Sequence, residues 1–352
     1  MTLISLFISL LTMLPMQSLP YSVAHRGGHI KGYVPENSPD GVASAKRYGF
    51  RAIECDVHYT KDNKLIIMHD RTINRTMVNA SDLSPIAQPV EYAQTNFAEL
   101  RSKYVLASSD PQKRRPIPTF AEELAACKKY GIIPMMHTHH YEAYKMAKKE
   151  LGDNFIAFSG QYDSLKLVRN ISKNCLILWD PDMAPAEEVV QKLKALGGPC
   201  GVSSMRDYLL TADYIKTIRD AGFEVQSSIF KTPLEVESIA KGATIVLSDF
   251  CLFPAKPIKA KKSMLLNDKQ IKQGEKITFT GKKFDYSSVT LDINLKGNVE
   301  VIVDGKRHYQ FSDANGIQRL GSWRFYNKVP TIEIIAKENT LIKSLDIKEY
   351  KY

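Results

Sequence analysis

His25 and Arg26 stand before two glycines, and Glu54, Asp56 and His58 alternate along an apolar run. His69 precedes Asp70, and His137, His139 and His140 follow a second apolar run. Seven of the eight histidines fall in the first 140 residues. Side chains of an extended strand repeat every two residues, so Glu54 and Asp56 share a face. Two carboxylates buried there unpaired cost several kcal/mol, and a divalent cation satisfies both. Arg26 can fork onto a phosphate. His25 and His69 belong to the residue type that titrates near neutrality, so one can take a proton while the other gives one. Each of these residues alone has a bland explanation as a hydrogen-bonded or exposed side chain. The set suits metal-assisted phosphodiester chemistry.

The elements that would hold these residues alternate. Short apolar strands are expected over 22–25, 52–58, 65–68, 132–136, 155–158, 175–178, 201–203, 224–227 and 244–247. Helical patterns separate most of them, at 38–48, 118–131, 141–151, 165–168, 185–196, 213–221 and 233–241. Repeated strand–helix units imply a parallel sheet. About eight such strands within 21–255 fit a (β/α)8 TIM barrel, an α/β fold whose polar residues gather at the C-terminal strand ends.

The blocks AHRGG (24–28), PENS (35–38), IECDVHYTKDNKLIIMHD (53–70), RT (75–76), IPTFAEEL (117–124) and GATIVLSDF (242–250) together resemble the glycerophosphodiester phosphodiesterase family, over about residues 21–255. The resemblance implies a TIM barrel with a metal-dependent site that hydrolyses glycerophosphodiesters to glycerol 3-phosphate and an alcohol. It implies His25 and His69 as the catalytic pair, Glu54 and Asp56 as metal ligands, Arg26 as a phosphate contact and Glu36 at the active-site mouth. Residues 71–116 resemble the family's insertion, which shapes the glycerol side of the pocket. In the family the substrate's own hydroxyl attacks phosphorus, and water then opens the cyclic phosphate.

The sequence departs from the family where Glu-x-Lys is usual and His137-Thr138-His139 stands instead. His137 is then the expected third metal ligand, and His139 a partial replacement for the lysine near phosphate. The family's cation is Ca²⁺ or Mg²⁺; an imidazole ligand moves the preference toward Zn²⁺ or Mn²⁺. Gln226 and Ser227 replace an aromatic wall, which predicts a polar alcohol such as inositol or a sugar. Two alternatives remain: a sphingomyelinase D-like transfer that stops at a cyclic phosphate, and a barrel that binds phosphate or sugar without catalysis.

The chain has 352 residues and a formal net charge of +10. From Lys256 onward 19 Lys and Arg face 11 Asp and Glu, whereas the first 255 residues are almost balanced. This asymmetry excludes a uniformly basic nucleic-acid binder. The basic tail is either a solvated face or a contact for a glycan or an anionic surface. Residues 1–20 begin with an apolar run too short for a confident span, which predicts an export signal and a periplasmic or extracellular protein; a buried or membrane-resting helix is the alternative. No stable membrane span is expected. The five cysteines have no metal-type spacing and are expected to be free thiols. After the Pro- and Lys-rich connector, residues 262–352 alternate in short β-type runs, which predicts a small antiparallel β-sandwich. Trp323, Phe325 and Tyr326 belong either to its core or to a ligand site.

Overall fold

The computed structural model describes residues 21–182, 184–204, 210–230, 242–249 and 259–351. Strands β1 (Tyr21–Ala24), β2 (Ala52–Tyr59), β3 (Leu65–Ile67), β4 (Met77–Asn79), β5 (Tyr104–Leu106), β6 (Ile133–His137), β7 (Ile156–Ser159), β8 (Leu176–Trp179), β9 (Cys200–Ser204), β10 (Glu224–Phe230) and β11 (Ile245–Ser248) form the N-terminal part. The parallel order β1-β11-β10-β9-β8-β7-β6-β2 closes through a β1–β2 pairing, giving the eight-stranded barrel expected from the sequence. β3 adds antiparallel to β2. Residues 1–20, 231–241 and Cys251 lie outside the described residues, and with them the expected export signal and one expected helix. No helix among the described residues is long and apolar enough to cross a membrane.

Local sequence explains the crossovers. The helix Pro39–Arg47 starts at Ser38, whose hydroxyl accepts from Gly41 N–H at 3.1 Å, with Pro39 in its first turn. The helix Phe120–Tyr130 opens with a Thr119–Glu122 capping box and ends at Gly131 in the left-handed region. Alternate strand residues pack outward against the helices and inward into the barrel. Tyr21, Val23, Ala52, Met135, Ile156, Leu176, Ile245 and Leu247 belong to the inner cluster. Cys55, Cys127, Cys175 and Cys200 are buried free thiols.

One guanidinium ties together the loops around residues 172–199. Buried Arg169 donates through Nη1 to the carbonyls of Ser172, Lys173 and Cys175, and through Nη2 to Pro199 at 2.8 Å. Gly198, at φ +65°, passes so close that a Cβ would stand 2.7 Å from the Lys173 carbonyl. Arg169→Ala strips four carbonyls of a charged donor, and about 3 kcal/mol of stability should be lost. A urea titration of the two proteins reads this directly; an unchanged midpoint would show that water replaces the guanidinium.

In the insertion β4 pairs antiparallel with β5, and the segment between them carries the helix Phe97–Lys103. The insertion is held on β3 by a separate apolar cluster that includes Ile66, Met68, Ile73, Met77, Leu100 and Leu106.

The C-terminal part differs from the expected sandwich. β12 (Lys262–Ile271), β13 (Lys276–Thr280), β14 (Phe284–Val303), β15 (Arg307–Lys328), β16 (Thr331–Ala336) and β17 (Thr340–Lys351) form one antiparallel sheet, an open half-barrel with no second facing sheet among the described residues. The cause is the length of β14. Its first half pairs with β17 and its second with β16, while β15 runs along its other edge. Gly297, at φ +133°, bends the strand where Gly297-Asn298 reads as a turn in the sequence. Trp323 and Phe325 are buried in this sheet's core; the side chain of Tyr326 lies outside the described set.

Candidate active site

The inward alternation of the barrel delivers the polar side chains. Val23 is followed at the same parity by His25, Ala52 by Glu54 and Asp56, Met135 by His137, and Leu247 by Asp249. β2 and β6 are in register with Asp56 opposite His137. Glu54, Asp56 and His137 each offer a donor atom, all within 4.8 Å of one another. Nδ1 of His137 lies 3.3 Å from Asp56 Oδ1 and 4.0 Å from Glu54 Oε1, and its ring stacks on Phe158.

Glu54 and Asp56 are almost wholly buried. Burial, and then repulsion from Asp56, push the Glu54 carboxyl well above the usual range. Burial opposes ionisation of Asp56 too, but His137 and the Asn37 amide outweigh it and hold that carboxyl below its ordinary value. The pair therefore resists carrying two charges, and no Lys or Arg side chain bridges either one among the described residues. Two oxygen donors and one imidazole around that charge-starved point fit a divalent cation.

Asn37 holds the ligands from behind. Its amide donates to Asp56 Oδ2 at 3.0 Å, and its Oδ1 accepts from Asp56 N–H at 3.2 Å. Asn37 and Arg26 both occupy the left-handed region, at φ 48° and 50°. The Arg26 backbone N–H donates to Glu54 Oε2 at 2.9 Å, so the candidate phosphate contact and the candidate metal trio share a carboxylate. Gly28 lets this loop lie against the helix Pro39–Arg47: a Cβ there would stand 2.3 Å from Ala45 N. Gly28→Ala should displace Arg26 and cost about 100-fold in kcat/KM in a protein that still melts cooperatively. Wild-type kinetics in that variant would show that the helix gives way instead.

Each candidate catalytic histidine has a carboxylate at Nδ1. His25 Nδ1 lies 3.2 Å from Asp249 Oδ1, and His69 Nδ1 lies 2.7 Å from Asp70 Oδ1. With its Nδ1–H donated, a neutral His69 ring keeps its lone pair at Nε2. Arg26 Nη2 approaches His69 Nε2 at 2.8 Å, and Arg26 Nη1 donates to Glu36 Oε1 at 3.2 Å. Arg75 forks onto both Glu36 and Asp70. Its side-chain hydrogen bond holds the Asp70 carboxyl down at about 2. Burial opposes ionisation of Glu36, yet Arg75 and Arg26 outweigh it and keep that carboxyl below its usual value. A cavity of about 500 Å³ opens here, lined by His25, Arg26, His29, Glu36, Arg75 and Asp249 among others.

Other expected residues stand apart. His139 is exposed with its ring against His140, and no described contact ties it to Arg26 or the trio. His58 shares the strand face of the ligands but stacks on Tyr92. Burial, then His139 and His58, hold His140 down at about 4. Gln226 and Ser227 are fully buried, Gln226 donating to Ser203 Oγ at 2.8 Å, so neither forms an exposed polar wall for an alcohol group. Asn37, Arg75 and Asp249 were not singled out from the sequence. Asp249 had a signal, the SDF at the end of the last barrel strand.

A closed (β/α)8 barrel with a Glu–Asp–His cluster and a histidine-flanked arginine at its C-terminal mouth defines the class: a TIM barrel with a candidate metal site at its mouth. Residues 25–225 match the glycerophosphoryl diester phosphodiesterase family, and the chain belongs to it. Glycerophosphodiester phosphodiesterase 1 of Mus musculus is 27% identical over 111 residues, which cover 32% of this chain and 31% of that protein. The alignment thus spans about a third of that curated relative. A phosphodiesterase of Oleispira antarctica, solved in complex with the product sn-glycerol-3-phosphate, superposes with a TM-score of 0.53 at 20% identity, covering 67% of this chain and 94% of that one. A putative glycerophosphoryl diester phosphodiesterase from Silicibacter pomeroyi gives 0.52 at 18% identity, covering 68% and 91%. At these identities the likeness is one of fold.

Proposed function

We propose that the protein hydrolyses glycerophosphodiesters to glycerol 3-phosphate and an alcohol with a divalent cation held by Glu54, Asp56 and His137. The carrying observation is that this trio shares the barrel mouth with two histidines whose Nδ1 atoms are each engaged by an aspartate. Bound there, the cation supplies charge neutralisation at the phosphate oxygens. Arg26 binds the phosphate through its guanidinium. His69, neutral with Nε2 as its lone-pair nitrogen, takes the proton of the attacking glycerol hydroxyl, His25, protonated on both ring nitrogens, gives its Nε2 proton to the leaving alcohol, and water then opens the cyclic phosphate with the two roles exchanged. Asp70 holds the tautomer that the base needs, and Asp249 steadies the doubly protonated ring that the acid needs.

Phosphorus NMR of glycerophosphoinositol, glycerophosphocholine and glycerophosphoethanolamine with metal-stripped protein tests the reading, each divalent ion being added back in turn. Metal-dependent loss of a diester signal and growth of glycerol 3-phosphate is the expected result. A cyclic phosphate that accumulates refutes hydrolysis, and inertness of the folded protein with every ion and every diester refutes the reaction.

The imidazole of His137 supports a preference for Zn²⁺ or Mn²⁺ over Ca²⁺ or Mg²⁺. His137→Glu restores an all-oxygen set and should move the preference to Ca²⁺ or Mg²⁺ by about tenfold or more. Competition calorimetry reads this without turnover; an unmoved preference would remove residue 137 from the ligand set.

A further inference from the structure

Arg75 has no role in the reaction assigned above, yet it makes more charged hydrogen bonds than any other described residue at the mouth. Its Nη1 and Nη2 donate to the two oxygens of Glu36 at 2.8 and 2.7 Å, and its Nε and Nη2 donate to the two oxygens of Asp70 at 2.6 and 3.0 Å. Asp70 engages His69 Nδ1, Glu36 engages Arg26 Nη1, and Arg26 Nη2 meets His69 Nε2. The five side chains close a ring. We propose that Arg75 is a positioning residue that clamps the general base and the phosphate-binding arginine in one frame, an inference that rests on the reaction assigned above.

One link of the ring must open for that reaction. A substrate phosphate needs the Arg26 guanidinium, and the attacking hydroxyl needs His69 Nε2; in the ring these two groups are bonded to each other. Once that bond opens, His69 is oriented by Asp70 and Arg26 by Glu36. Arg75 holds both carboxylates through two bonds each, so the frame survives the opening. Its fixed charge also balances the carboxylates around His69. The groups facing that imidazole are Asp70 beside it, Arg26 from the β1 loop, Arg75 from the insertion and, more distantly, Asp56 and His58 on β2. Without Arg75, Asp70 is uncompensated and His69 is drawn toward its cationic form, which cannot act as a base. Lysine cannot do this work, because a point charge does not fork two planar carboxylates.

Nitrogen NMR of histidine-labelled, metal-free wild type and Arg75→Gln across pH 4–9 tests the clamp without turnover. In the wild type His69 is expected as the Nδ1–H tautomer. In the variant its titration should rise by about one unit and its tautomers should mix. With the divalent ion and a glycerophosphodiester, the acid limb of kcat/KM should move up by the same amount and kcat should fall about 30- to 100-fold. Arg75 is half-exposed, so guanidinium in the buffer should restore part of the activity of Arg75→Gly while ammonium does not. If Arg75→Gln fails to fold, Arg75→Lys, with charge retained and forks lost, is read by the tautomer: mixed His69 tautomers support the clamp and an unchanged Nδ1–H tautomer overturns it. An unchanged His69 titration and tautomer in a folded variant overturns the clamp, whatever the activity. A wild type inert toward every diester overturns the reaction instead, and the titration separates the two failures.

Discussion

His69→Ala is expected to lower kcat on a glycerophosphodiester by about 10³-fold while leaving divalent-metal binding intact. General acid–base catalysis by a placed side chain contributes roughly 10²–10⁴-fold. The Nε2 of His69 lies 2.8 Å from Nη2 of Arg26, the proposed phosphate contact. It lies outside the Glu54–Asp56–His137 cluster, so the metal titration should be unmoved. His25→Ala should cost a similar factor. The double variant should be little worse than either single one, because a base without its acid has no proton path to complete. Phosphorus NMR rates beside metal calorimetry check both halves. Retained turnover in His69→Ala would sink the role assignment, and lost metal binding would move His69 into the ligand set.

Glu123→Met is expected to stabilise the protein by roughly 3 kcal/mol at pH 7. The helix Phe120–Tyr130 buries Phe120, Leu124 and Cys127 on one stripe, and Glu123 sits on that stripe. It is fully buried, neither of its oxygens has a hydrogen-bond partner, and burial raises its carboxyl to about 8 from the ordinary 4.5. A carboxyl raised in the folded state costs nothing below its unfolded value. The cost grows as pH rises from about 4.5 and is complete above about 8. The gain from Glu123→Met should therefore be small at pH 4.5 and largest above pH 8. Urea titrations at three pH values test this; a gain that does not depend on pH would mean that the folded-state carboxyl titrates as the unfolded one does, for instance by finding water. Glu54 adds a cost of the same sign in the metal-free protein, because its carboxyl is also raised. Metal should abolish that part of the pH dependence and leave the Glu123 part.

The sequence made the barrel and most of the site legible because both rest on local periods. The same two-residue alternation that buries Ala52 aims Glu54 and Asp56, and the strand–helix rhythm counts eight strands. Partners across long distances were not legible. His25 meets Asp249 only because the last barrel strand pairs with the first, and Arg75 reaches Glu36 only because the insertion packs on β3. Asn37 sat unread beside Glu36, since nothing local shows that its amide turns back to Asp56. The C-terminal sheet misled for the opposite reason. Gly297-Asn298 has turn chemistry, but it serves as a bend within one 20-residue strand, so two apparent strands are one and the two apparent sheets merge. Asp304-Gly305 has the same chemistry and does make the tight hairpin turn, with both residues at positive φ.

The pairing of β1 with β11 has a consequence for the order in which the chain is made. Arg26, Glu36, Glu54, Asp56, His69 and Arg75 all leave the ribosome within the first 75 residues, and His137 soon after. Asp249, the carboxylate that meets His25 Nδ1, follows more than 200 residues behind it. Until the last strand docks, the growing chain carries the candidate phosphate- and metal-binding residues without the partner of His25. Under the proposed reaction the acid is therefore completed only when β11 pairs with β1 and closes the barrel, so synthesis of the whole barrel precedes any turnover.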